Sequence, residues 1–164
     1  VQSGFTSAVI GFIVVGLFMM VIYARAGMVA ATTLIFTVVI SLGVLAGFGA
    51  TLTLPGIAGI ILSIGMAVDA NVLIFERMRE ELATGKTIKA SVDSGFSKAL
   101  AAIVDSNITT FFTGLILFQF GTGPIQGFAL TLMIGIVTSL FSALVICRLF
   151  LDFMVAKGIK ITLG

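Results

Sequence analysis

The chain has 164 residues, of which 59% are hydrophobic and only 10% are charged. A soluble domain has roughly a quarter of its residues charged, so this composition excludes a water-soluble globular protein and predicts an integral membrane protein. The net charge is +2. It does not indicate nucleic-acid binding, because in a membrane protein the basic residues mainly set the orientation.

Five apolar segments are long enough to cross a bilayer as helices. They lie at about residues 7–23, 28–48, 56–75, 100–120 and 126–150. We therefore predict an all-α integral membrane protein in which a single domain forms a bundle of five transmembrane helices.

With five spans, all nine basic residues fall on one side of the membrane. By the positive-inside rule that side is the cytoplasm, which places Val1 outside and Gly164 inside. The nine residues are Arg25, Arg77, Arg79, Lys86, Lys89, Lys98, Arg148, Lys157 and Lys160.

The only sizeable connection is the predicted cytoplasmic loop 76–99. We expect its first part to extend the third helix, with an i,i+4 pair between Arg77 and Glu81 and an end at Gly85. A short amphipathic helix would then begin near Thr87 and lie on the inner membrane surface, or serve as a solvated linker. Its apolar face would consist of Ile88, Val92, Phe96 and Ala99.

Asp69 is a carboxylate in the middle of the third apolar span. No charge precedes it back to Gly56, and the next charge after it is Glu76. An Asp at the bilayer centre costs ~2.5–3.5 kcal/mol, so the default interpretation is a site on an ion or substrate path. Histidine is absent, so proton chemistry would depend mainly on carboxylates.

A second carboxylate, Asp105, is predicted at similar depth in the fourth span. Asp69 and Asp105 each begin an Asp-x-Asn triplet, which ends at Asn71 or Asn107. Together with Thr109, these side chains could hold the waters through which a proton moves. Asp105, Thr109 and Thr113 lie four residues apart on the fourth span and form a polar stripe, which should face other helices or a wet cavity. A structural role, in which the side chains hydrogen-bond between helices, stays open for both carboxylates.

Small residues at intervals of four form a ridge on the fifth span and a shorter one on the third. Such ridges let neighbouring backbones approach closely, so we predict helix packing, with sliding during a transport cycle as a further role. The residues are Gly127, Thr131, Gly135 and Ser139 on the fifth span and Gly59 and Ser63 on the third.

Three classes of function follow: a proton-coupled transporter, an intramembrane aspartyl protease using Asp69 and Asp105, and a passive structural subunit. The protease is disfavoured because Asp69 follows residues 65–68, Gly-Met-Ala-Val, rather than Gly-x-Gly. The cost of Asp69 disfavours a passive subunit. The sequence has no phosphate loop and no Cys/His metal spacing, so we expect no cofactor and no metal, and transport ranks first.

Four motifs follow one another along the chain: LTLPGIAG at 52–59, GMAVDANVLIFER at 65–77, DSNITT at 105–110 and GTGPIQGFA at 121–129. Together they resemble the SecD family of bacterial protein-export membrane subunits, part of the resistance-nodulation-division superfamily of proton-driven transporters.

This resemblance implies half of a resistance-nodulation-division-type membrane domain, namely the last five of six spans, with the first span and an external head domain before Val1. It implies that Asp69 and Asp105 help the proton motive force to promote preprotein translocation across the bacterial inner membrane. The remaining relay residues would belong to SecF.

The implied partners are SecF (separate or fused), the SecYEG channel, YajC, the preprotein and the lipid bilayer, without nucleic acid. A proton-coupled small-molecule exporter of the same superfamily is an alternative. The present stretch alone should be unable to pull a substrate, and it could associate with itself where SecF would pack.

Overall fold

The computed structural model describes residues 2–164, and in that range all regular structure is helical. The helices are α1 (Gln2–Tyr23), α2 (Arg25–Gly47), α3 (Leu54–Ala83), α4 (Ile88–Phe120), α5 (Pro124–Phe141), a π-helical segment (Ser142–Ile146) and α6 (Cys147–Ala156). The last three follow one another without a break, so the described residues contain five helices long and apolar enough to span a membrane. The predicted all-α bundle with five spans is confirmed.

The helix boundaries are set by local capping residues. The Thr53 side chain accepts a hydrogen bond from the Gly56 N–H at 3.1 Å and begins α3. The Thr87 side chain does the same for the Ala90 N–H at 3.2 Å and begins α4. These hydroxyls satisfy N–H groups that have no partner inside the first turn. Gly85, with φ of 90°, follows the end of α3 as predicted.

The turn between α1 and α2 is a single residue, Ala24, with φ of 52°. The two helices cross closely just beyond it, because Gly27 has no side chain. A Cβ at Gly27 would lie 2.1 Å from the carbonyl oxygen of Met19. The α1–α2 turn, the end of α3, the start of α4 and the end of α6 all lie at the same end of the bundle. This end carries the basic residues, so we call it the basic end.

Helix α3 runs parallel to α5, and small residues line their contact. A Cβ added at Gly59 would lie 2.2 Å from Thr131 Oγ1, and one added at Gly135 would lie 2.0 Å from Ser63 Oγ. Both pairs are 72 residues apart in sequence, which fixes the register of the two helices. Ser139 lies further along the same ridge and is buried. Sliding of the two helices stays a prediction.

Helix α4 runs antiparallel to α3, and the predicted separate amphipathic helix is in fact its first part. The prediction of a separate short helix is wrong, because residues 88–120 form one continuous helix. A Cβ at Gly95 would lie 3.0 Å from the Met78 backbone nitrogen, so the missing side chain lets α4 approach α3 closely. The expected apolar face, including Val92, Phe96 and Ala99, is buried in the core.

The ion pairs at the basic end also differ from the i,i+4 expectation. Arg77 pairs with Glu80 at 2.8 Å rather than with Glu81. Glu81, whose side chain is 4% exposed, instead binds the ammonium groups of Lys86 and Lys98. Glu81 therefore ties α3 to α4 across the short connection.

Candidate functional site in the membrane span

Asp69 lines a small cavity of about 70 Å³ between α3 and α4. The carboxylate is exposed on the outer side of α3, so no other part of residues 2–164 covers it. The lining residues are Met66, Asp69, Ala70 and Leu73 from α3 and Ile103, Ser106 and Asn107 from α4. The cavity thus combines one carboxylate, one hydroxyl and one amide within an otherwise apolar wall.

The register of α3 against α4 determines which residues face each other across this cavity. Counting in opposite directions from the contact of Met78 with Gly95 brings Asp69 level with Val104. Asp105 is therefore at a similar level on the neighbouring helix. However, Asp105 does not line the cavity, and the structure leaves it exposed on the outer side of α4.

The polar stripe on α4 satisfies its hydroxyl groups within its own helix. Thr109 donates to the Asp105 carbonyl oxygen at 2.9 Å, and Thr113 donates to the Thr109 carbonyl oxygen at 3.1 Å. All three residues are exposed, so no other helix in residues 2–164 covers the stripe. The hydroxyls are compatible with an apolar environment, and the Asp105 carboxylate remains the one group that needs an external partner.

The two asparagines lie inside the bundle and are incompletely hydrogen-bonded. Asn107 donates to the Ile103 carbonyl oxygen at 2.7 Å, but its own oxygen has no partner within residues 2–164. Asn71 is 1% exposed, and neither of its side-chain polar atoms has a partner there. A buried polar group left unpaired costs about 1–3 kcal/mol of stability. The presence of these asparagines therefore needs a reason other than stability.

Sequence reasoning missed a further polar residue at this level, Ser142. It is fully buried, begins the π-helical segment, and its hydroxyl has no hydrogen-bond partner in residues 2–164. The α3–α5 register places Asn71 level with Ala143, next to Ser142. A π-helical turn within an α-helix frequently marks a functional site. Ser142 lies off the four-residue spacing of the ridge that includes Ser139, so the sequence gave no signal that could have identified it.

A carboxylate next to a hydroxyl and an amide is chemically able to bind and release a small cation and to hold water. Within residues 2–164, no cluster of three or more His, Cys, Asp or Glu side chains could hold a metal ion. Asp69 and Asp105 are the charged side chains at this level of the described bundle.

The comparisons with known proteins agree with this architecture. The family profile of "Protein export membrane protein SecD/SecF, C-terminal" matches residues 1–157. The chain is 60% identical over 157 residues to the protein translocase subunit SecD of Rhodothermus marinus, covering 96% of this chain and 25% of that protein. It is 50% identical over 161 residues to the SecD subunit of Calditerrivibrio nitroreducens, covering 98% and 31% of the two chains.

A solved structure shows the same fold. The crystal structure of SecDF, a translocon-associated membrane protein from Thermus thermophilus, superimposes with a TM-score of 0.94 at 43% identity. The match covers 99% of this chain and 23% of that chain, so the present stretch spans about a quarter of the SecDF chain. The helical fold and the profile match across nearly its whole length show that this chain belongs to the SecD/SecF family of protein-export membrane proteins.

Proposed function

We propose that the chain is the membrane-embedded part of a Sec protein-export subunit that uses the proton motive force to promote preprotein translocation across the bacterial inner membrane. The relatives named as SecD translocase subunits support this role. The observation that carries the proposal is the position of Asp69, a carboxylate at the mouth of a small cavity in an apolar helix pair.

In this proposal Asp69 is the proton carrier. The Ser106 hydroxyl and the Asn107 amide line the same cavity and hold water against the carboxylate. Asn71, two residues further along α3, carries an unpaired amide on the buried side of the helix, which offers further hydrogen-bonding capacity within the bundle. Moving one charge through 100 mV releases about 2.3 kcal/mol, which is the energy available per proton for work on the preprotein.

Asp105 and Thr109 form the second part of the proposed path. Their exposure on the outer side of α4, at the level of Asp69, suits a path that is completed by another protein. We propose SecF as that protein, either separate or fused, acting with the SecYEG channel and YajC. The role is non-catalytic.

The proposed orientation follows from charge. The inner ends of α1, α3 and α6 meet at the basic end, and the positive-inside rule places this end in the cytoplasm. The N-terminus of the chain then lies outside and its C-terminus inside. The opposite end of the bundle, at the α2–α3 and α4–α5 turns, carries no charged residue.

Two other functions could use the same residues, and the site favours neither. An aspartyl protease needs two carboxylates that share a proton to activate water. Here only Asp69 lines the cavity, while Asp105 lies outside it. A small-molecule exporter needs a substrate cavity, and about 70 Å³ is too small for a drug-sized ligand.

The decisive experiment is Asp69→Asn in the full-length protein, with preprotein export and proton flux measured together. Asn keeps the size and hydrogen bonding of Asp but cannot titrate, so we expect loss of both activities at normal protein levels. Glu80→Gln is the matched control, because Glu80 is exposed at the end of the same helix and pairs only with Arg77. Near-normal export with Asp69→Asn would show that Asp69 is structural.

We also propose that the present stretch, produced alone, self-associates through the surface that carries Asp69 and Asp105. These carboxylates would otherwise face lipid, which is unfavourable. Cross-linking in a native-like bilayer should give dimers that disappear when SecF is supplied. Detection of monomers alone would contradict this proposal.

A further inference from the structure

The residues after α6 do not form a free tail. Residues 160–164 have no regular secondary structure and lie across the basic end. Two of their apolar side chains are buried: Ile161 is 5% exposed and Leu163 is 7% exposed. Both belong to the same hydrophobic core cluster as Tyr23 and Phe75. In contrast, Ile159 just before this segment is 40% exposed.

The first contact surface for this segment is the start of α2. The Ala26 N–H donates to the Thr162 carbonyl oxygen at 3.1 Å, and the Arg25 N–H donates to the Thr162 hydroxyl at 3.1 Å. The Arg25 guanidinium also donates to the Lys160 carbonyl oxygen at 3.0 Å. The first N–H groups of a helix have no partner within it, so the segment acts as the cap that α2 otherwise lacks.

The second contact surface is the end of α3, through Arg79. One guanidinium nitrogen of Arg79 donates to the Leu163 carbonyl oxygen. Another donates to the Glu76 carboxylate at 3.1 Å, and Glu76 also accepts a hydrogen bond from the Tyr23 hydroxyl at 2.7 Å. The guanidinium also stacks 5.3 Å from the centre of the Tyr23 ring. Arg79 therefore joins α1, α3 and the final segment at one point.

We propose that residues 160–164 form a strap that ties the end of the last span to the α1–α2 turn and to α3, and that Arg79 is the residue that closes it. The strap fixes the inner end of α3, which carries Asp69 ten residues earlier. The inference goes beyond the proposed export role, because it depends only on these contacts and not on proton transfer.

Arg79 is suited to this role in a way that the neighbouring Arg77 is not. Its planar guanidinium supplies separate N–H groups for Glu76 and for Leu163, which a lysine ammonium cannot match in geometry. Arg77 lies two residues earlier on the same helix and pairs only with the exposed Glu80. The two arginines therefore form a matched pair of test positions.

The test is thiol labelling of the full-length protein in lipid nanodiscs with a water-soluble maleimide. Leu163→Cys reports on the strap, and Ile159→Cys is the exposed reference. The native Cys147 is 0% exposed and reports on global unfolding in every variant. We expect Leu163→Cys to react several-fold more slowly than Ile159→Cys, because reaction requires local opening of the strap.

Adding Arg79→Ala should raise the labelling rate at position 163 towards that of the exposed reference, whereas adding Arg77→Ala should leave it unchanged. Ile161→Ser should raise it as well, and it lies outside every helix. If Arg79→Ala also exposes Cys147, the protein has unfolded. The labelling rate of position 163 in the Ile161→Ser variant then decides whether the strap exists. Equal rates at positions 159 and 163 in the otherwise native chain would overturn the proposal. Slow labelling of position 163 in both the Arg79→Ala and the Ile161→Ser variants would also overturn it.

Discussion

Gly95 of α4 lies directly against Met78 of α3. A Cβ at Gly95 would approach the Met78 side chain to 2.6 Å and the Met78 backbone nitrogen to 3.0 Å. The side chain could rotate away, but the backbone could not. This contact sets the register that brings Asp69 and Asp105 to the same level.

Replacing Gly95 by Val should therefore separate α3 from α4. We expect a loss of about 1–3 kcal/mol in the free energy of unfolding, which is typical of overpacking in a close contact. Unfolding in mixed detergent micelles, followed by circular dichroism, measures this. Gly43→Ala is the control, since nothing lies within 4 Å of a Cβ at Gly43. Equal stability of the Gly95 variant and the control would contradict the contact.

The α3–α5 contact allows a compensation experiment. Gly135→Ala alone should destabilise, because the new Cβ would lie 2.4 Å from Ser63 Cβ. Adding Ser63→Gly removes that overlap, so the double variant should recover part of the lost stability despite a further helical glycine. A double-mutant cycle in the same unfolding assay gives the coupling, which we expect in the range of about 0.5–3 kcal/mol. Simple additivity would show that the two positions are not in contact.

The two carboxylates should not be equivalent. Asp69 lines the cavity and Asp105 does not, so Asp105→Asn should retain more proton flux and more export than Asp69→Asn. Flux into energised vesicles containing equal amounts of each full-length variant measures the difference. The reverse order would assign the carrier role to Asp105 and would require a path along the outer side of α4.

Asn71→Leu separates stability from function. Both polar atoms of Asn71 are buried and unpaired within residues 2–164, so an apolar side chain should raise the free energy of unfolding by about 1–3 kcal/mol. If the proposed proton path includes Asn71, proton flux should also fall, because the buried side of α3 loses an amide that can bind water. Asn107→Leu should give a smaller gain, since it also removes a hydrogen bond to Ile103. A less stable Asn71→Leu protein with normal flux would indicate an ordinary structural asparagine.

The spans were predictable because helices in a bilayer must be apolar along about 20 residues. The distribution of the basic residues then predicted which connections share a side of the membrane. Asp69 and Asp105 were identified by the cost of charge in such segments. Asp69 lines a cavity, whereas Asp105 does not. This difference depends on the close approach of α4 to α3 at Gly95. The sequence alone does not show that this glycine faces Met78.

The errors came from contacts between distant parts of the chain. An i,i+4 spacing predicted that Arg77 pairs with Glu81, but two lysines from beyond Gly85 occupy Glu81 instead. Similarly, the sequence analysis assigned no role to the final residues, and only the folded chain brings Leu163 to Arg79. Pairings of this kind depend on tertiary geometry that no local pattern encodes.

The π-helical segment has one further consequence for the last span. Every fourth residue from Thr131 to Leu151 is buried, although in a straight α-helix positions four apart rotate by about 40° per step. The wider turn at Ser142–Ile146 takes back part of this angular drift and keeps Leu151 directed inwards. It also aims Arg148 at Asp93 of α4. Removing one residue from this turn would swing the part of the span at the basic end away from its neighbours.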